Sequence, residues 1–414
     1  MVTLAPYHET SQCRICRCGD LAPVIDLGLQ ALTGRFPAVG EPDPASAPLE
    51  LVRCKDCGLV QLLHSVDVGE MFSDAYGYRS GINATMTDHL SGISGQISER
   101  AGLGQGDIAL DIGCNDGTLL KSYPVEGIKR LGIDPVAENF RAFYSDDIEV
   151  HTAFFNADTF HAASLGQKAR AITSISMFYD LEDPGAFVGD IAGVLAQDGI
   201  WVLEQSYLPT MLEANSYDTI CHEHLEYYAL AQIDQLVSEK TLRIFDVSLN
   251  DINGGSFQIW VCHQDANYKN NEASLSALRN RESQLGLSTD APFAAFRERV
   301  AQNNAKLKAF IEEVVADGKK VYVYGASTKG NVLLQYLDLG CDLLSGCAEK
   351  NPIKFGRRTP GTGIPIVPEA EARAAADYFL VLPWHFRDEF IARESEFLEN
   401  GGTLIFPLPT FEIV

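Results

Sequence analysis

Between Tyr217 and Leu230 the chain reads YDTICHEHLEYYAL, which holds two histidines, three carboxylates, a cysteine and three tyrosines in fourteen residues. Histidine is the side chain whose unperturbed pKa, about 6.5, suits proton transfer near neutral pH. His222 and His224 lie two apart, so on an extended segment they would share a face, and metal binding is one reading. Zinc needs further ligands, and Glu223 would then point the other way. Acid–base chemistry and an ordinary polar segment are the other two readings.

A stronger metal pattern stands near the start. Cys13-Arg-Ile-Cys16 and Cys54-Lys-Asp-Cys57 each have the C-x-x-C spacing that lets two thiolates meet one ion from a tight turn. Two such knuckles complete a four-sulfur tetrahedral site, which is closed to substrate and therefore structural. The predicted ion is Zn2+, with Cys18 left as a spare thiol. A loop rich in Pro and Ala, 36–50, separates the knuckles.

Two glycine turns follow. In ALDIGCNDGTLL (109–120) a strand should end at Asp111, with Gly113 and Gly117 allowing a tight turn and a helix starting near Thr118. Asp134 closes the next strand 23 residues after Asp111, the spacing that offers a carboxylate to ribose hydroxyls. Asn115 holds the place of the middle glycine of the dinucleotide fingerprint. This relaxed pattern behind a leading Asp suits S-adenosylmethionine better, with Asp111 and Gly113 beside its amino-acid end. Asn156 and Glu204 are weaker cofactor-cleft candidates, at the C-terminal edges of strands where ligands collect. In VYVYGASTKGN (321–331), Gly325 and Gly330 flank a second strand–helix turn. Its backbone, with Ser327, Thr328 and Lys329, could hold a pyrophosphate. Lys350, Lys354, Arg357 and Arg358 form a basic cluster further on.

These turns need parallel sheets to position them. From about 107 to 262, short apolar runs alternate with helical stretches, which predicts a doubly wound α/β sheet. Residues 184–199 read as one helix, and 256–263 as a strand. Residues 267–318 are helical, and strand–loop–helix alternation restarts at 319. At 414 residues the chain exceeds one ordinary core, and two or three domains are expected. A formal charge of −24 argues against nucleic acid and anionic membranes as partners. No apolar run approaches the roughly 18 residues of a spanning helix, and no signal peptide opens the chain, so a cytoplasmic location is expected. In that compartment the ten cysteines should stay reduced.

Taken in order, CRIC…CKDC, DIGCNDGTLL, YDTICHEHLEYY, NGGSFQIWV, YGASTKGN and NPIKFGRRTPGTGIPI resemble the bacterial C-methyltransferases of nucleotide-linked 4-keto-6-deoxy sugars. The resemblance covers nearly the whole chain. It implies a zinc-binding domain over 1–75, a Rossmann-like S-adenosylmethionine domain over 76–266, and a Rossmann-like nucleotide-sugar domain over 267–414. It implies methylation at C3′, with His224 as base, Glu223 as its acid–base partner, and Tyr76 and Tyr78 approaching the sugar. Cofactor contacts are then expected from Asp111, Gly113, Asn115, Gly117, Asp134 and Asn156. Substrate contacts are expected from Cys221, His222, Ser327, Thr328, Lys329, Lys354 and Arg358 on a dTDP-, GDP- or CDP-linked sugar. Three departures stand out: Cys221 where the family often has tyrosine, Cys114 where it often has serine, and MFYDLED where it often reads NVFAHI. Transfer to oxygen or nitrogen, or an NAD-binding homologue, are the alternative readings.

Overall fold

The structure, a computed structural model, describes residues 3–71 and 79–414, and Tyr76 and Tyr78 lie outside them. Its first part contains β1 (Tyr7–Glu9), β2 (Leu21–Ala31), β3 (Ser46–Cys54), β4 (Val60–Leu62) and β5 (His64–Val66). Strands β2, β3 and β4 pair antiparallel, which brings the end of β3 and the turn after it beside the first cysteine knuckle.

The middle part carries β6 (Ile108–Ile112), β7 (Lys129–Ile133), β8 (Ile148–His151), β9 (Ala169–Ile175), β10 (Leu195–Ser206), β11 (Glu226–Tyr227), β12 (Leu242–Asn250) and β13 (Ser256–His263). All but β11 form one sheet in the order β12-β13-β10-β9-β6-β7-β8. Strand β6, IALDI, is buried throughout, as expected of a central parallel strand covered on both faces. β13 runs against both its neighbours, so the sheet is not wholly parallel. The physical reason is the short link from Asn250 to Ser256, which can turn a hairpin but cannot cross over.

The segment expected to be one helix over 184–199 is divided. The helix covers Pro184–Val194, with Pro184 in its first turn and Asp183 accepting from the Ala186 N–H. At Leu195 the backbone turns extended and β10 begins, paired with Ala169 of β9.

The last part has β14 (Val321–Tyr324), β15 (Leu344–Glu349), β16 (Ile366–Pro368), β17 (Tyr378–Val381), β18 (Thr403–Phe406) and β19 (Glu412–Ile413). They order as β16-β15-β14-β17-β18-β19, parallel except for β19. Long helices Glu272–Leu285 and Ala291–Ala316 lead into this sheet.

The three parts are tied together. β11 leaves the middle part to pair with β4 of the first. Gln335, on a helix of the last part, receives the Ala31 N–H at 2.8 Å and returns its amide to the Ala31 carbonyl at 3.2 Å. No helix among the described residues is long and apolar enough to cross a membrane.

One close approach supports the cofactor turn from below. A Cβ added at Gly132 of β7 would lie 2.5 Å from Cys114 Sγ and 2.8 Å from Val150 Cγ2. Gly132→Ala should therefore cost about 1–3 kcal/mol through overpacking. Thermal unfolding should show a lower Tm, partly restored by adding Cys114→Ala. An unchanged Tm would contradict this packing.

Candidate active site and metal centre

Cys13, Cys16, Cys54 and Cys57 converge, with all four Sγ atoms within 4.8 Å of one another. Zn–S bonds of about 2.3 Å in a tetrahedron require sulfurs about 3.8 Å apart, so the four fit the ion. Cys18 stays out of the group and accepts the Asp20 N–H. The knuckles are braced by neighbours. Gln61 accepts the Arg14 N–H at 2.8 Å, and Gln232 donates to the Cys57 carbonyl at 2.7 Å. The buried Arg14 guanidinium donates to the Leu62 carbonyl and to Ser65 Oγ.

At the C-terminal edge of the middle sheet lies a cavity of about 300 Å³. Among the described residues its wall includes Asp111, Gly113, Asn115, Asp134, Met177 and Asp180, and no lysine or arginine. Asp111, at the end of β6, accepts from Thr173 Oγ1 at 2.6 Å, and burial pushes its carboxyl up to about 7. Asp134 accepts the N–H groups of Asn115 at 2.8 Å and Val136 at 2.7 Å. The turn uses left-handed backbone at Gly113, Asn115 and Gly117 (φ 73°, 48° and 72°). Asparagine tolerates that conformation at the place where the dinucleotide fingerprint has glycine. Tyr144 covers Gly117 so closely that a Cβ there would lie 2.7 Å from the ring. An acid-lined, cation-free cavity over a glycine turn fits a cationic nucleoside such as S-adenosylmethionine.

Asn156 is not on this wall. It accepts from Thr159 and caps the helix Ala157–Ser164, and the preceding Phe154 and Phe155 face the cavity instead. An asparagine immediately before a helix satisfies free N–H groups there. Glu204 is likewise engaged elsewhere, by His89, Asn250 and Gln258.

The segment 217–230 is not one extended strand, and it ends where a helix begins at Leu230. It makes a 3-10 turn at Tyr217–Thr219, a further turn in which the His224 N–H reaches the Cys221 carbonyl, and the short β11. That turn sends the histidines to different partners, so the shared face expected of an extended segment is not formed. His222 reaches the Ala47 carbonyl of the first part at 3.0 Å, and burial pushes it down to about 4. Among the described residues, the only group of metal-ligand geometry is the four cysteines. His224 Nδ1 lies 3.0 Å from the Thr219 carbonyl. A carbonyl only accepts, so Nδ1 holds the proton and Nε2 keeps its lone pair. Burial and the charge of Lys329 push His224 down to about 3. Its ring packs on Tyr179 at 4.1 Å, one residue from Asp180 on the cavity wall.

Glu223, Cys221 and Asp180 are buried near one another, and the charge of Glu223 acts on both of the others. From the last part, Trp384 donates to Asp218 at 2.9 Å. Lys329 donates to the Asn253 carbonyl at 3.2 Å, and its charge acts on Asp218 and His224. Lys329 thus stands with the histidine. Ser327 accepts the Gly330 N–H as a helix cap, and Thr328 opens that helix. Lys354 donates to the Ala326 carbonyl, and Arg358 is paired with Asp43 and the Glu41 carbonyl. Sequence reasoning gave no role to Asp180, Asp218 or Trp384. Asp180 alone left a signal, a polar residue just past the end of an apolar strand.

Comparison with known proteins also divides the chain in three, with the last division starting before β13 of the middle sheet. A zinc binding domain profile matches residues 13–72, a methyltransferase domain profile 88–244, and a C-methyltransferase C-terminal domain profile 251–409. C-methyltransferase NovU of Streptomyces niveus is 32% identical over 410 residues, covering 97% of this chain and 96% of NovU. Among solved structures, magnesium protoporphyrin IX methyltransferase from Synechocystis PCC 6803 is 14% identical, covering 45% of this chain and 90% of its own (TM-score 0.34). Mitomycin 7-O-methyltransferase MmcR is 15% identical, covering 44% of this chain and 55% of its own (TM-score 0.35). Those scores are too low to bear on function.

For the metal centre, Cys57→Ser should drop bound zinc, measured by elemental analysis, from one ion per chain to well below one. Thermal stability should fall with it, because metal binding is coupled to folding. Full zinc retention would exclude Cys57 from the ligand set.

Proposed function

This chain belongs to the C-methyltransferase family, and from that premise we propose that it methylates C3′ of a nucleotide-linked 4-keto-6-deoxy sugar, with His224 as the base. The observation that supports the proposal is His224 itself, with Nδ1 anchored on a carbonyl, which leaves the lone pair on Nε2, and with its ring packed on Tyr179, the residue before Asp180 of the cavity wall. S-adenosylmethionine supplies an electrophilic methyl group when bound.

The chemistry demands a carbon nucleophile. A ketone at C4 acidifies the hydrogen on C3, and a positioned imidazole can remove it. The carbonyl of Thr219 fixes the tautomer, and the ring of Tyr179 fixes the plane. Lys329 keeps the imidazole neutral at rest. An anionic diphosphate placed near Lys329 would offset that charge and raise the basicity of Nε2 on substrate binding. Asp111 and Asp134 suit the cationic cofactor, with Asp134 toward the ribose. The glycine turn at Gly325, with Lys329 and Lys354, suits the nucleotide part. His222, bonded to the first part, is assigned to structure and not to substrate. Four reduced cysteines suit the cytoplasm.

Purified enzyme with a panel of dTDP-, GDP- and CDP-linked 4-keto-6-deoxy sugars and labelled cofactor tests the reading. Label should move to carbon on at least one, and deuterium should enter at C3 from solvent. Transfer to oxygen or nitrogen without deuterium entry would replace it. His224→Ala should lower turnover by about 10²–10⁴-fold while S-adenosylhomocysteine still binds. Loss of that binding would place His224 in the cofactor site instead.

The pH profile adds a check. A depressed pKa keeps the imidazole unprotonated, and so competent, at every pH above about 3. At saturating cofactor, kcat/KM should then show no histidine limb between pH 8 and 5. A limb near 6.5 that disappears in the His224 variant would contradict the assigned environment.

A further inference from the structure

Asp180 sits where the two halves of the site meet. Its residue lines the cavity with Met177 and Glu182. The next residue back, Tyr179, packs its ring at a tilt of 50° against His224, and the Tyr179 carbonyl accepts the Leu225 N–H at 2.7 Å. The segments bearing Asp180 and His224 are thus fastened side by side. Asp180 Oδ1 is shielded from solvent and has no hydrogen-bond partner among the described residues.

The groups facing Asp180 are mostly acidic or neutral. Glu223 and Glu226 act on it as like charges, and no lysine or arginine among the described residues does. Cys221, Tyr227 and Tyr228 also face it. Of the cations around this group, Arg14 pairs with Glu226 at 3.6 Å and Glu182 at 3.5 Å, and the charge of Lys329 acts on Cys221. Burial raises the Glu223 carboxyl as well. Burial, and then the two neighbouring carboxylates, push Asp180 well above the usual carboxylate range, which favours its protonated form.

We propose that Asp180 works as a carboxylic acid, donating its O–H to the ketone oxygen of the substrate while the enolate forms. This rests on the carbon-acid reading above. As His224 Nε2 takes the C3 proton, the C–H electron pair moves into the C3–C4 bond and negative charge gathers on the ketone oxygen. Asp180 stabilises that oxygen through a hydrogen bond and keeps its own proton. The carbon–carbon bond then forms as the carbon–sulfur bond of the sulfonium breaks, with that electron pair left on sulfur. The proton on His224 leaves to solvent. A neutral acid is the right donor here. An ionised Asp180 would repel the enolate, whereas a buried carboxylic acid held protonated at neutral pH can serve as an oxyanion donor.

Two measurements test this. With S-adenosylhomocysteine bound at pH 7, the infrared difference between wild type and Asp180→Asn should show the C=O stretch of a protonated carboxylic acid in the wild type. A carboxylate band alone would overturn the proposal. Solvent deuterium entry at substrate C3, followed without methyl transfer, should fall about 10²–10³-fold in Asp180→Ala. Asp180→Asn, which keeps an N–H donor of similar shape, should stay within about tenfold of wild type. S-adenosylhomocysteine affinity should change less than threefold in both. Equal loss in Asn and Ala variants would mean that the carboxylate itself is needed, and would overturn the proposal. So would full exchange in Asp180→Ala. A wild-type enzyme that shows the acid band but methylates a heteroatom would instead refute the sugar-carbon reading, and this role with it.

Discussion

The site depends on one constraint: the segment 217–228 is polar, lacks regular structure over most of its length, and is packed between all three parts of the chain. Burying such groups costs free energy unless each finds a partner. Partners arrive from each side. The first part supplies the Ala47 carbonyl to His222 and strand β4 to Glu226 and Tyr227. The last part supplies Asn304 to Tyr217 and Trp384 to Asp218. The middle part supplies the Tyr179 carbonyl and ring. Displacing any one part strands buried polar atoms of the segment, so the catalytic geometry and the association of the parts are one problem. The zinc centre fits this view. It holds the sheet that pairs with β11, and so reaches His224 without approaching any substrate.

Charge is sorted across the same junction. Among the described residues the cavity in the middle part has Asp111, Asp134, Asp180 and Glu182 on its wall and no lysine or arginine. Lys329 and Lys354 come from the last part, close to the Gly325 turn. On the proposed reading a cationic methyl donor and an anionic sugar nucleotide approach from opposite sides, each toward charge of the other sign. His224 lies between them, neutral because of both burial and Lys329. Each ligand then reduces an unfavourable charge state of the empty site. A sulfonium relieves Asp111, and a diphosphate relieves the pairing of Lys329 with His224.

What was legible in the sequence follows from the range of each interaction. The four cysteines and the glycine turn at Asp111 are local patterns, set by a few consecutive residues, and both are present as expected. Alternation gave the strands and helices of both sheets but not the order of the strands, nor the hairpin that reverses β13. Partnerships between distant segments were not legible. Nothing near Arg358 in the chain announces Asp43, which neutralises it from the first part. Nothing near His222 announces the Ala47 carbonyl. Asn156 misled because a helix cap and a ligand contact use the same residue type at the same edge of a sheet. Asp180 was passed over because acidity of this kind comes from its neighbours in space, Glu223 and Glu226, which lie more than forty positions away in sequence.

Cys221 acquires a physical role from that arrangement. It is a small buried side chain on which the charge of Glu223 acts, and Glu223 Oε2 has no partner among the described residues. The negative charge left on Glu223 acts on Asp180. Tyr179 packs its ring against His224, and the next residue, Asp180, faces the charges of Glu223 and Glu226. Two consecutive residues therefore join the histidine to the acidic cluster, and the backbone bond from the Leu225 N–H to the Tyr179 carbonyl holds the two segments in that register.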